Sequence, residues 1–174
     1  MYDIQPIIHA TRAQLHDQLR AGYPCTPEEL AGFVYEGISL GLPRWAERLS
    51  WKKFQKAFVM EPEASHVRGW NIRTVDDGLE NPWRDQCVDG VPNTFGHFIA
   101  EQRETGVCLD YSRQGRGGNG ALNGLRDPLV ALQAGDPTLI LGRSYLSIFG
   151  KRWGTPSYFL LRRGREVSFI APAP

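Results

Sequence analysis

The chain changes its hydrophobic period once, and the change separates a short helical start from a long run of strands. Over residues 7–20, Ile8, Leu15 and Leu19 recur at near-helical spacing and Gly22 follows as a stop, which predicts one short amphipathic helix. Thr26-Pro27-Glu28-Glu29 reads as a second helix start: Thr26 caps the N-terminus, Pro27 suits the first helical position and Glu29 completes a capping box. That helix runs for a turn or two. The next residues, Phe33-Val34-Tyr35-Glu36-Gly37-Ile38-Ser39-Leu40, are β-branched and aromatic, the composition of a strand, with Gly37 open to a bend or a close backbone approach.

Residues 43–49 suggest a helical turn. In residues 51–60, Trp51, Phe54 and Phe58 fit a helix, while Phe54, Phe58 and Met60 fit alternation; the strand reading is adopted. Residues 65–75 alternate more clearly, with His66, Arg68, Trp70 and Ile72 on one face and Val67, Gly69, Asn71 and Arg73 on the other. Turn dipeptides crowd residues 76–93 and predict a long loop of the sort that often covers a site. Residues 94–102 and 107–112 flank Arg103-Glu104-Thr105-Gly106, the spacing of a β-hairpin. A glycine run over residues 115–120 predicts a mobile loop, and after it short apolar runs alternate with turns to residue 170. Closely spaced strands without helix-length crossovers predict an antiparallel barrel or sandwich, and closure would remove exposed edges.

Composition adds bounds to this picture. At 174 residues one domain is expected over residues 1–174, with residues 1–31 as a helical segment and residues 32–171 as a β-barrel. Twenty Lys and Arg against nineteen Asp and Glu leave a net charge of +1, so no general field draws the protein to nucleic acid. No apolar run reaches the ~18 residues of a membrane span, and the N-terminus lacks signal-peptide character; a cytoplasmic protein with no membrane partner is expected. Cys25, Cys87 and Cys108 are three in number and widely spaced, the pattern of free thiols rather than of a metal or redox pair. Homo-oligomerisation is left open.

The order of elements, with Leu30-Ala31-Gly32-Phe33-Val34-Tyr35-Glu36-Gly37, Leu49-Ser50-Trp51-Lys52-Lys53-Phe54, Leu109-Asp110-Tyr111, Leu125-Arg126-Asp127-Pro128, Leu141-Gly142-Arg143 and Tyr158-Phe159-Leu160-Leu161, resembles the calycin-type (lipocalin-like) barrels. More narrowly it is similar to the uncharacterised bacterial and fungal proteins named after a G-x-W-x-G element, with Tyr35 standing where that element has Trp. The resemblance implies a mainly β protein: an antiparallel calycin-like β-barrel of roughly eight to ten strands with short N-terminal helices, wide enough for one small ligand. It implies no particular activity.

Period-2 spacing puts His66, Arg68 and Trp70 on one strand face. If that face is inward, an acid/base, a cation and an aromatic wall share a pocket; if outward, they are a solvated surface. His97 lies between Phe95 and Ile99 on alternate positions, a half-buried histidine that is either satisfied by a backbone carbonyl or oriented by Asp110 on the hairpin partner, itself either that orienting group or an exposed strand-end residue. Arg143 and Tyr145 share a face, as do Tyr158 and Arg162, either as an anion clamp or as an exterior stack. Arg126-Asp127 reads as a local salt bridge at a turn. His66, His97 and Asp110 are thus the candidate catalytic residues, and Tyr35, Arg68, Trp70, Arg143, Tyr145 and Tyr158 the candidate ligand contacts. No metal spacing and no P-loop occur, so neither metal nor cofactor is expected. The predicted function is small-molecule binding, with cofactor-free isomerase, cyclase or dehydratase chemistry as its enzymatic version. A carrier or sensor, or an interaction module with a filled barrel, are the alternatives.

Overall fold

A computed structural model describes residues 3–41, 52–61, 63, 65–113, 120–148 and 151–172. The helical turn expected at 43–49, Trp51 and most of the glycine run fall outside these residues. The helix expected over residues 7–20 is two: α1 (Gln5–Ile8) and α2 (Arg12–Ala21). Thr11 divides them, because its hydroxyl accepts from Gln14 N at 3.3 Å while its own N–H donates to Gln14 Oε1 at 2.8 Å, a capping box that starts a helix afresh. The capping box expected at Thr26 and Glu29 is present, with Thr26 N donating to Glu29 Oε2 at 2.7 Å, and it opens the one-turn α3 (Pro27–Leu30).

The strands are β1 (Phe33–Leu40), β2 (Lys53–Glu61), β3 (His66–Arg73), β4 (Cys87–Val88), β5 (Val91–Pro92), β6 (Thr94–Arg103), β7 (Gly106–Asp110), β8 (Leu125–Gln133), β9 (Asp136–Ile148) and β10 (Lys151–Glu166). Eight of them close a barrel in the order β1-β10-β9-β8-β7-β6-β3-β2, every described pairing antiparallel. The protein is therefore mainly β with a closed antiparallel barrel, as its alternation and turn spacing predict. The segment expected as plain loop at 76–93 carries a small hairpin of its own. Asp89 and Gly90 both take positive φ, 51° and 79°, between β4 and β5, the requirement of a two-residue type I′ turn.

Alternation now decides which side chains fill the barrel. Tyr35, Phe58, Val67, Phe98, Leu109, Leu129, Ile140, Phe159 and Leu161 form one buried cluster, joined at one end by Cys25 and Leu30 of the α3 segment. Room for the rings comes from glycines directly across the sheet. Gly37 pairs with Phe54, Gly69 with Phe98 and Gly142 with Phe159; a Cβ on Gly142 would stand 2.3 Å from the Phe159 ring. Each inward ring thus lies over the position where a neighbouring strand has no side chain.

Two further clusters coat the outer wall. Leu15 of α2 packs with Ile38, Leu40, Val130, Leu141, Tyr158 and Leu160, the residues that alternate with the inward set. Val34, Ala57, Trp70 and Ile72 are covered by Ala171, Val167 and Phe169 of the C-terminal segment. None of the described helices is long and apolar enough to cross a membrane.

Candidate functional site

The inward and outward registers sort the sequence-predicted residues. Val67 and Gly69 point into the barrel, so His66, Arg68 and Trp70 point out. Trp70 is fully buried beneath the C-terminal segment, with the Arg68 guanidinium 5.1 Å above its ring and His97 tilted against it at 6.3 Å. Arg68 donates to Ala171 O at 3.1 Å and pairs with Glu61. Burial, and then the Arg68 charge, hold His97 below the usual imidazole pKa. Three predicted residues therefore do meet, on the outer wall, where they fasten the chain's C-terminal segment.

Arg143, Tyr145 and Tyr158 also meet outside the barrel. The Arg143 guanidinium sits 4.7 Å from the Tyr145 ring and 5.1 Å from that of Tyr158, and its Nε is buried without a hydrogen-bond partner among the described residues. Asp110 is engaged by Ser112, at 2.8 Å from its N–H, and by Arg126 at 3.1 Å. Tyr35 is the one predicted ligand contact that faces inward, but it lies in the packed half. Its hydroxyl donates to Pro137 O at 3.0 Å and accepts from Arg163 Nε at 3.2 Å, and burial pushes its pKa up to about 12. The nine residues form two outer-wall groups, an ion-paired Asp110 and an interior tyrosine, not one site.

A different set converges inside. At the end opposite α3 the barrel keeps a cavity of about 280 Å³, near the lower edge of the size usual for small-molecule sites. Phe54, Phe95, Phe159, Leu122 and Leu125 supply its apolar wall, and Ser39, Ser144 and Ser157 add hydroxyls. Lys56 stands on its lining with only 4 % of its side chain exposed. Its Nζ donates to Asn71 Oδ1 at 2.7 Å and to the Tyr111 hydroxyl at 2.6 Å. Asn71 is oriented by its own N–H bond to Gly96 O at 2.9 Å, and Tyr111 passes its proton toward Asp127 Oδ2 at 2.9 Å. The Lys56 nitrogen lies 3.6 Å from that same oxygen.

Four rings surround the amine: those of Phe98, Tyr111 and Phe159 at 5.3 Å and that of Phe54 at 5.5 Å. Their π faces favour a cation, as does Asp127, but removal from water opposes one more strongly and pushes the Lys56 pKa below the ordinary lysine range. Burial, and then the Asp127 charge, raise Tyr111 well above the usual phenol. Asp127 Oδ1 is buried with no hydrogen-bond partner among the described residues, an omission that costs stability unless something else binds there. The reading of Arg126-Asp127 as a local pair is corrected by the strand's alternation, which sends Arg126 out to Asp110 and Asp127 in to Lys56.

A wider depression of about 570 Å³ lies on the outer wall beside Glu61, His66, Arg68, Glu101 and Arg113. Its charges neutralise one another through the Arg68–Glu61 and Arg113–Glu101 pairs, and such surface pairs hold little recognition energy in reserve. The interior cavity is the better-built site despite its smaller volume.

No protein-family model and no curated protein matches the chain. The closed eight-stranded antiparallel barrel is consistent with a calycin-like fold. The likeness to the G-x-W-x-G proteins gains no support. Lys56, Asn71 and Tyr111 were not singled out as site residues by their sequence, and Asp127 only as a partner of Arg126, yet one signal was present. Lys56 sits between Phe54 and Phe58 on alternate positions, a cation breaking an otherwise aromatic strand face, and Asp127 interrupts Leu125 and Leu129 in the same way.

Proposed function

We propose that the protein binds a small, partly aromatic organic molecule in the barrel cavity, oriented by Lys56, Asn71, Tyr111 and Asp127. The barrel is compatible with such a ligand; the observation that supports this reading is a buried amine, phenol and carboxylate in one hydrogen-bonded chain beside a void. Evolution of a packed interior ordinarily excludes such groups, because an apolar replacement of similar volume is often as stable or more so. A void lined by rings also offers a ligand apolar burial, at roughly 25 cal/mol per Å².

The enzymatic version of this function is proton transfer without a cofactor. Tyr111 bridges Lys56 and Asp127, so a proton given to a ligand can be replaced along the same chain that accepts one from it, the requirement of an isomerase, cyclase or dehydratase. The filled-barrel alternative has one observation in its favour: the half of the barrel next to α3 is solid with Tyr35, Phe58, Phe98 and Leu129. Native mass spectrometry of protein from its own host, with thermal shift against a panel of small aromatic compounds, separates these. A retained mass or a shift of several degrees, lost in Ser144→Trp, is expected. A rigid barrel with no bound mass and no shift would leave the interaction module.

A further inference from the structure

We infer that Lys56 is a covalent capture residue, forming an imine with a small aldehyde or ketone held in the cavity; this rests on the cavity being the ligand site. The acceptors around the nitrogen limit the number of protons it carries. Asn71 Oδ1 can only accept, since its N–H group is committed to Gly96 O, and the Tyr111 oxygen must accept from Lys56 because its proton goes to Asp127. Two acceptors at hydrogen-bond distance match the two protons of a neutral amine and leave its lone pair unused. The third proton of an ammonium would face Asp127 Oδ2 at 3.6 Å, a longer contact than either of these hydrogen bonds. Arginine outnumbers lysine sixteen to four in this chain, yet this position holds the one cationic side chain that can give up its proton and attack carbon.

The surroundings fit each stage. The ammonium passes a proton through the Tyr111 hydroxyl to Asp127, leaving a neutral Nζ and a carboxylic acid. Nζ attacks the carbonyl carbon, a C–N bond forms, and one amine proton moves to the former carbonyl oxygen to give a carbinolamine. Asp127 returns its proton through Tyr111 to the hydroxyl, the C–O bond breaks and one water leaves. Ammonium and carbonyl have become iminium and water, with no oxidant or reductant consumed. The iminium retains the positive charge that Asp127 and the four rings are placed to hold. Phe95, Leu122 and Leu125 receive the carbonyl compound's apolar body, so an aromatic or unsaturated aldehyde is the expected class.

Benzaldehyde and cinnamaldehyde, each with sodium cyanoborohydride, test this on the intact wild-type protein. The chain has only four lysines, Lys52, Lys53, Lys56 and Lys151, so peptide mass mapping resolves each. A reductively trapped adduct on Lys56, about tenfold or more above that on exposed Lys52, is the expected result, the gain from holding the carbonyl carbon beside the amine. Ser144→Trp should remove the Lys56 adduct and leave the Lys52 adduct unchanged. Labelling confined to Lys52, Lys151 and the N-terminus, or equal labelling in Ser144→Trp, overturns the inference. If the same compounds shift the melting temperature without a Lys56 adduct, the cavity stands and covalent capture falls. If they do neither while other panel compounds bind, capture of this class falls alone.

Discussion

Two lysines three residues apart on β2 are both withdrawn from solvent, and they differ in how fully their charge is met. Lys53 points outward and is 0 % exposed, with Nζ donating to Asp77 Oδ1 at 2.8 Å, Gly78 O at 2.9 Å and Asn81 O at 3.1 Å. Trp83 closes over it at 4.9 Å. Pro82 O lies at 3.4 Å as a fourth acceptor for the three protons, and the ammonium fastens the segment between β3 and β4. Lys56 points inward, finds two acceptors and a more distant carboxylate, and borders a cavity. Burial of a charge is common to both; only the incompletely satisfied one suggests a task, because a structural cation leaves no bond unmade.

The comparison breaks most decisively at Lys56. Lys56→Met abandons the Asp127 carboxylate, which is 2 % exposed. A loss of about 3–5 kcal/mol in urea unfolding is expected, the usual result of removing one partner from a buried pair. Lys56→Met/Asp127→Asn should regain most of it, to within about 1 kcal/mol of wild type, because no uncompensated charge is left. The double variant should also lose all cavity binding. If it remains as unstable as the single variant, Lys56 is a structural group like its neighbour, and the distinction drawn between them fails.

Lys53→Met should cost less, about 2 kcal/mol, although Lys53 makes more bonds. Its partners lie in a surface segment where Asp77 keeps a quarter of its side chain exposed, so they can exchange the ammonium for water. Limited proteolysis should open residues 77–83 first, while ligand binding in the barrel persists. A Lys53 variant that binds no ligand would show that the outer segment shapes the cavity.

How much of this contrast was legible beforehand follows from what alternation can encode. Strand existence, the hairpin over residues 94–112 and the closing meander needed only period two and turn residues, and β1 falls on the eight residues that its composition marks. Which face looks inward needed a partner sheet. His66-x-Arg68-x-Trp70 and Val67-x-Gly69-x-Asn71 are equally regular, and the glycine in the second set, normally a mark against burial, is what admits Phe98. Polar residues drew attention wherever they clustered, so the outer-wall groups stood out. The interior site was the reverse pattern, single polar residues within apolar faces of three separate strands: Lys56 and Asn71 meet as cross-strand partners of β2 and β3, and only the barrel's closure brings Asp127 to them.

Proton linkage sharpens the contrast at the two ends of the pH scale. Lys53 and Arg84 hold the Asp77 carboxyl down at about 2 from an ordinary 3.8. That stabilisation is present above the ordinary value and lost as pH falls through about 2, and Lys53→Met should flatten the acid limb. Lys56 is depressed in the folded state, so between its lowered pKa and the ordinary 10.5 the unfolded chain binds the extra proton and stability rises with pH. Cys25, raised from 9.0 to about 11 by burial, and Tyr35 act oppositely, since their folded forms keep a proton that the unfolded chain loses. Subtracting the curve of Lys56→Met/Asp127→Asn from that of wild type cancels those shared contributions. The difference should grow in favour of wild type as pH rises from the lowered Lys56 value toward 10.5; a flat difference would mean that Lys56 is not depressed.

The smallest expected effect tests the outer wall. His66 is half-buried at the start of β3, beside the ion-paired depression and on the face opposite Asn71. His66→Ala should change unfolding stability by no more than about 1 kcal/mol, as is usual for losing one half-buried polar contact. It should leave cavity binding, and any turnover found, at wild-type level, because a strand and its inward side chains separate it from the void. Arg68 is not an equivalent control: it holds Ala171 O and covers Trp70, so its loss would loosen the C-terminal segment and mix stability with function. A His66→Ala protein that folds normally but no longer binds would place recognition on the outer depression, and Lys56 would then join Lys53 as a cation buried for structure alone.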